Sequence, residues 1–222
     1  MHPGACLMSL SGRLLRLLLL PVCLFAGAVL AREPTVLQSA LVRSADGVQM
    51  SVRLALAPSP AVEDALLKGV PVYFVWQSEV FRERWYWSDK RIASATRALR
   101  LAYQPLTRRW RVSLSTDAAG SGAGLQYALH QNFDSLNEAL QGVSRVVGWQ
   151  IAEAGALKDG VAYRVQWRFR LDLTLLPRPF QIGMANQPDW LIEVQRSLDV
   201  PAYNEAVPRS EGALDGAAVE NR

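Results

Sequence analysis

Val161-Ala162-Tyr163-Arg164-Val165-Gln166-Trp167-Arg168-Phe169-Arg170-Leu171-Asp172-Leu173-Thr174 carries the clearest structural signal in the chain. Val161, Tyr163, Val165, Trp167, Phe169, Leu171 and Leu173 share one side of an extended chain. Ala162, Arg164, Gln166, Arg168, Arg170, Asp172 and Thr174 share the other. Strict alternation predicts a strand with one face packed on a core and the other open to water or a partner. That is the pattern of an antiparallel sheet, because parallel strands are covered on both faces.

Lys158-Asp159-Gly160 turns the chain before this strand, and Leu176-Pro177-Arg178-Pro179-Phe180 takes the chain out of the sheet after it. Two prolines cannot donate ladder hydrogen bonds. Leu191–Val200 reads as a closing strand and Trp149–Ala154 as a preceding one. Earlier, Thr35–Arg43 and Val48–Ala57 flank Asp46-Gly47, a strong hairpin signal. Val70–Phe81 is apolar on both sides, as a central strand is. Ala93–Tyr103 and Trp110–Ser115 follow, and a short strand at Leu125–His130 comes after the Gly/Ala/Ser loop Ala118–Gly124.

Two short helices interrupt the strands. Ser59 caps the first, with Pro60 at its first position and Gly69 at its end. Ser135–Val147 is the second. Phe133, Leu136, Leu140, Val143 and Val147 make its apolar stripe, Ser135 and Glu138 its capping box, and Gly148 its stop. The fold expected is mainly β: an antiparallel β-sandwich of about eight strands with two short helices inserted between strands.

The two ends of the chain set the domain organisation. Residues 1–31 carry Arg13 and Arg16, an apolar run from Leu14 to Leu30, and the small-residue site Val29-Leu30-Ala31. This reads as a secretory signal peptide cut after Ala31; the alternative is an uncleaved anchor, against which Pro21 and Gly27 interrupt the run. Residues 32–203 form a single sandwich domain. The tail 204–222 is small and polar and is expected to be disordered. Periplasmic localisation is expected, with no stable membrane span after cleavage.

Composition narrows the chemistry. At 222 residues, 50% hydrophobic and 20% charged, the chain suits one domain with a real core and excludes a disordered or collagen-like protein. Of 24 basic residues, Arg13 and Arg16 fall in the leader, which leaves 22 against 20 acidic ones. Both cysteines, Cys6 and Cys23, also fall there, so thiol and disulfide chemistry are excluded from the mature chain. Val22 before Cys23 does not fit a lipobox. His130 is the one histidine left, and more often such a residue is structural than catalytic. No metal site, no cofactor and no enzymatic activity are expected. Gly120-Ser121-Gly122-Ala123-Gly124 lacks the Lys-Ser/Thr of a phosphate loop. Glu63-Asp64 sit on the short helix, and Asp172 is best read as the ion-pair partner of Arg170.

Two surfaces remain as partner-binding candidates. Arg164, Arg168 and Arg170 share one strand face, which Arg109 and Arg111 extend if their strand is a neighbour. Such a row suits an anionic envelope ligand or protein, with an ordinary solvated face as the alternative. Nucleic acid is not expected, because the aromatics of this strand face the other way. Trp85, Tyr86 and Trp87 stand in a charged connection; three consecutive large aromatics cannot all enter one core if the segment is extended, so at least one is expected to be exposed, as at an interface, with a lid folded over the end of the sandwich as the alternative.

The runs Glu63–Phe74, Arg84-Trp85-Tyr86-Trp87, Arg100–Tyr103, Leu106-Thr107-Arg108, Arg111–Leu114, Leu175–Gln181 and Asp189-Trp190 together resemble an exported proteobacterial family of unknown function, domain of unknown function 4390. The likeness covers roughly Thr35 to Gln195. It implies export and a small β-rich domain. The family's gene neighbourhood, often beside a sensor histidine kinase of the nitrogen-regulation type, implies a periplasmic accessory role. It supplies no catalytic residues. The expectation is a periplasmic non-enzymatic binding module, accessory to a membrane sensor kinase or envelope partner. An envelope hydrolase or glycan-active enzyme using two carboxylates is one alternative. A lipid or small-ligand carrier with a hollow between its sheets is another.

Overall fold

The computed structural model describes residues 34–86, 88–115, 127–176, 187–203 and 206–209. The leader expected over residues 1–31, both cysteines, Trp87 and the Gly/Ala loop lie outside them. All the described residues belong to the compact unit Ala31–Arg222.

Local sequence sets each element. β1 (Thr35–Ser44) and β2 (Gly47–Ala55) form the expected hairpin through the two-residue turn Ala45-Asp46, with Ser44 opposite Gly47. Gly47 has φ +119°, a conformation closed to residues with a Cβ. α1 (Pro60–Leu67) starts where expected: Ser59 Oγ accepts from Val62 N–H at 3.3 Å, and Val62, Ala65 and Leu66 are its buried face. The same hydroxyl donates to the Asp189 carbonyl at 2.7 Å and so ties the helix to the turn Pro188–Trp190. β3 (Val72–Arg82), β4 (Lys90–Gln104), β5 (Arg109–Ser115) and β6 (Tyr127–Phe133) come next. They are followed by α2 (Leu136–Val143), β7 (Arg145–Glu153), β8 (Tyr163–Leu171), β9 (Glu193–Asp199) and β10 (Ala206–Arg209).

These ten strands make two antiparallel sheets, in the orders β10-β1-β2-β7 and β6-β5-β4-β3-β8-β9. β3 is central, as its two-sided apolar sequence requires, pairing with both β4 and β8. The alternation of β8 is realised residue by residue: Tyr163, Val165, Trp167, Phe169 and Leu171 are buried, and the residues between them are half-buried. The core sits between the sheets. Phe74 stacks on Phe169 at 5.6 Å, and Trp76 lies 5.7 Å from Trp167 and 4.7 Å from Phe169. Trp76 also donates from Nε1 to the Val143 carbonyl at 3.0 Å. It thereby satisfies one of the carbonyls that the end of α2 leaves open.

Three expectations are corrected. The second helix ends at Val143, not Val147, and Gly148 (φ +55°) lies within β7 rather than stopping the helix. Val146 and Trp149 pair with β2 and bury on the core, while Val147 is exposed. Ladder pairing of a β-branched Val-Val pair outweighs one more helical turn. The long strand through Thr174 leaves the sheet at Asp172, whose carboxylate caps the 3-10 turn Leu173–Leu175. The tail expected to be disordered from Asn204 carries β10, paired with β1 from Ser39↔Arg209 to Val42↔Ala206. Pro208 is admissible there because β10 is an edge strand.

Candidate functional site

The β3–β4 connection places two aromatic rings in solvent. Trp85 is 92% exposed and Tyr86 67% exposed. They meet edge to face, with centroids 4.5 Å apart. Register explains the position: β3 and β4 pair up to Arg82↔Lys90, so the residues between them project beyond the sheet. The Asp89 carboxylate accepts from the Arg84 backbone N–H at 3.4 Å across the connection. A shallow depression of about 630 Å³ runs along Arg82–Tyr86. Neither Arg82 nor Arg84 has an ion pair among the described residues. Apolar rings carrying polar edges, flanked by free cations, are the surface type that anchors protein interfaces.

The arginine face is differently placed. Arg164 pairs with Glu83 and lies 3.6 Å from Asp199. Arg168 pairs with Glu193 at 3.1 Å and donates to Gln195 Oε1 at 2.7 Å. Arg170 pairs with Asp172 at 3.0 Å. Each guanidinium is therefore met by a carboxylate from its own or a neighbouring element. Arg109 and Arg111 do not extend the row, because β4 and β3 separate β5 from β8. They pair with Asp134 (3.2 Å) and Asn132 (3.2 Å) instead. Among the described residues the two surfaces join at Glu83, which stands two residues before Trp85 and carries Arg164. Arg168 and Arg170 stand further along β8.

Asp172 is more than a surface partner. It is buried, accepts from Thr174 N–H (3.0 Å) and Thr174 Oγ1 (2.6 Å), and holds Arg170. Burial alone pushes its carboxyl up; the Thr174 hydrogen bonds, together with Arg170, outweigh that and hold it below the ordinary carboxylate value. A folded pKa below the unfolded one stabilises above the unfolded value and is lost as pH falls through the folded one. Asp172→Asn is accordingly expected to cost about 1.5–3 kcal/mol at pH 7, the scale of hydrogen bonds to a charged group. Urea titration from pH 7 to pH 2 should show that deficit shrinking in acid. A deficit constant with pH would place its origin elsewhere.

Other residues fall into structural roles. His130 lies on edge strand β6, with Nδ1 2.9 Å from Ser113 Oγ. Asp64 forms an exposed i,i+4 pair with Lys68. No cluster of three metal-ligating side chains occurs among the described residues, and no helix among them is long and apolar enough to cross a membrane. The carrier reading asks for a hollow between the sheets; at the middle of β3 and β8 that space is taken by the rings of Phe74, Trp76, Trp167 and Phe169. Sequence reasoning missed two arginines that bridge elements. Arg97 lies over the Trp149 ring at 5.1 Å, where burial lowers its pKa. Arg43 reaches Asp159 at 2.8 Å from 116 residues away. Neither contact has a local signal, since each partner is defined by the assembled sheets.

A family model described as "Domain of unknown function (DUF4390)" matches residues 31–198. No curated protein and no solved structure matches the chain.

Proposed function

We propose, for a chain that belongs to the DUF4390 family, a non-enzymatic binding module of the cell envelope that grips a protein partner through the Trp85–Tyr86 tip. The observation that carries this reading is the exposure of two adjacent large aromatics at 92% and 67% in a sheet whose other aromatics are mostly packed. Taking such rings out of water is worth about 25 cal/mol per Å² of apolar surface. A tryptophan and a tyrosine centred in an interface are therefore enough to dominate its energetics. Arg164 belongs to the surface through Glu83, whereas Arg168 is assigned to holding β8 against β9 and Arg170 to holding the Asp172 carboxylate at the end of β8.

The partner is a folded envelope protein, with the extracytoplasmic part of a membrane sensor as the first to try. In-cell crosslinking of the tagged protein, followed by mass spectrometry, tests this. Trp85→Ala/Tyr86→Ala is expected to lose a specific membrane partner at unchanged melting temperature. Replacing Arg168 and Arg170 should leave capture in place. Equal capture by wild type and the aromatic variant would remove the tip from the account.

A further inference from the structure

A concavity larger than the depression at the tip lies at the end of the four-stranded sheet. It is an open groove of about 850 Å³ between the termini of β1, β2 and β7 on one side and α2 with the end of β6 on the other. Leu37, Leu54, Leu56, Phe133 and Leu140 give it an apolar floor. Leu37 remains 48% exposed there, although it follows the buried Val36 in a strand that begins the domain. The irregularity between Val36 and Gln38 in the β1–β2 register turns it toward the groove rather than onto a pairing partner.

Two cations stand on the rim. Arg53 of β2 and Arg145 of β7 are direct register partners, both line the groove, and both are exposed. Neither has a carboxylate partner among the described residues. Like charges directly opposed across an antiparallel pair destabilise it. The one acidic residue of the lining, Glu138, is turned to the helix start, where its carboxylate accepts from Asp134 N–H at 3.3 Å. On β8, by contrast, Arg164 meets Glu83 and Arg168 meets Glu193. This pair is left open over the leucines and Phe133 of a trough that Gln131, Asn137 and Gln141 also line. The volume is that of a small-molecule site.

We infer that the groove binds a single-chain anionic amphiphile, with its carboxylate or phosphate head between Arg53 and Arg145 and its hydrocarbon chain along Leu37, Leu54, Leu56 and Phe133. Guanidinium groups take either head in a bidentate manner. The charges set the sign of the ligand, and the floor sets its apolar body. The site is separate from the aromatic tip and stands or falls independently of the function proposed for it.

The test is titration of the purified, isotopically labelled protein with dodecanoate and with dodecyl phosphate below their micellar concentrations. Binding is read at the backbone amides of Leu54, Phe133 and Gly142, so that association elsewhere on the chain does not count. At least one ligand is expected to saturate these signals at one equivalent; which one assigns the head group. Arg53→Gln/Arg145→Gln is expected to weaken binding about tenfold, equivalent to about 1.4 kcal/mol, while melting at or above the wild-type temperature. Leu37→Gln, at a position already half exposed, should weaken it too.

Failure of both ligands to saturate those amides would overturn the inference. Equal affinity for neutral dodecyl maltoside would do the same, as would inorganic phosphate binding as tightly as dodecyl phosphate. A final variant, Glu211→Gln/Asp215→Asn/Glu220→Gln, addresses the acidic residues that come after β10, since Arg209 is opposite Ser39 in β1, the strand that carries Leu37. Binding that appears only in that variant would make the chain's own tail the occupant and overturn the inference.

Discussion

Trp76→Ala is expected to leave the protein at the edge of unfolding at 25 °C. Trp76 is fully buried in the central strand, against Trp167 and Phe169, and no neighbouring side chain can collapse into the volume of an indole. Large-to-small changes of this kind cost about 3–5 kcal/mol. The indole N–H also leaves the Val143 carbonyl, and a buried backbone acceptor without a partner adds about 1–3 kcal/mol. Domain stabilities run from about 5 to about 15 kcal/mol, and toward the lower end the sum removes most or all of the margin. Guanidinium unfolding should show the loss in the midpoint. Trp76→Phe separates the contributions, since it keeps much of the packing and drops only the hydrogen bond. Its cost should be well under half that of the alanine variant, and equal costs would show that the hydrogen bond, not the packing, holds this part of the core.

Gly47→Ala is the second large effect. The residue sits at φ +119°, and a Cβ there would stand 2.1 Å from the Ala152 carbonyl oxygen. That oxygen belongs to β7, so relief requires β7 to move off β2, not merely a side chain to rotate. A cost of about 3 kcal/mol or more is expected, combining backbone strain with loss of ladder pairing. Gly160→Ala is the comparator: its φ is also positive, at +72°, but nothing lies within 4 Å of the added carbon. Strain alone, about 1–2 kcal/mol, should operate there. Melting temperatures of the two variants should therefore differ clearly. Equal losses would mean that the close approach of β7 to the hairpin is absent in solution.

Much of the fold was legible because its signals are local. The alternation from Tyr163 to Leu171, the Asp46-Gly47 hairpin signal, and the Ser59-Pro60 and Ser135 caps each depend on residues within a few positions of one another. What escaped depends on neighbours supplied by other strands. Val147 continued the helical stripe of Phe133, Leu136, Leu140 and Val143, yet β2 offered Val146 and Trp149 a ladder that the helix could not match. β10 is four residues long and includes a proline, so only its pairing with β1 defines it.

The candidate surfaces divide in the same way. That at least one of Trp85, Tyr86 and Trp87 would be exposed followed from steric crowding along three adjacent residues, and Trp85 and Tyr86 both are. The charge state of the arginine face did not follow, because Glu83, Glu193 and Asp199 reach Arg164 and Arg168 from elements distant in sequence. The open pair Arg53 and Arg145 is far apart in sequence and has no motif. It exists only through the β2–β7 register.

Site-specific photocrosslinking puts the aromatic tip to a direct test. A photoreactive phenylalanine analogue is placed at position 85 in one strain and at position 106 in another. Leu106 is 100% exposed in the β4–β5 turn, at the opposite end of β4, and controls for exposure and apolarity alone. A tip that grips a partner gives a discrete crosslinked species from position 85 that position 106 does not give, and loses it when Tyr86→Ala is added. The same species from both positions, or none from position 85, would refute a binding role for the tip.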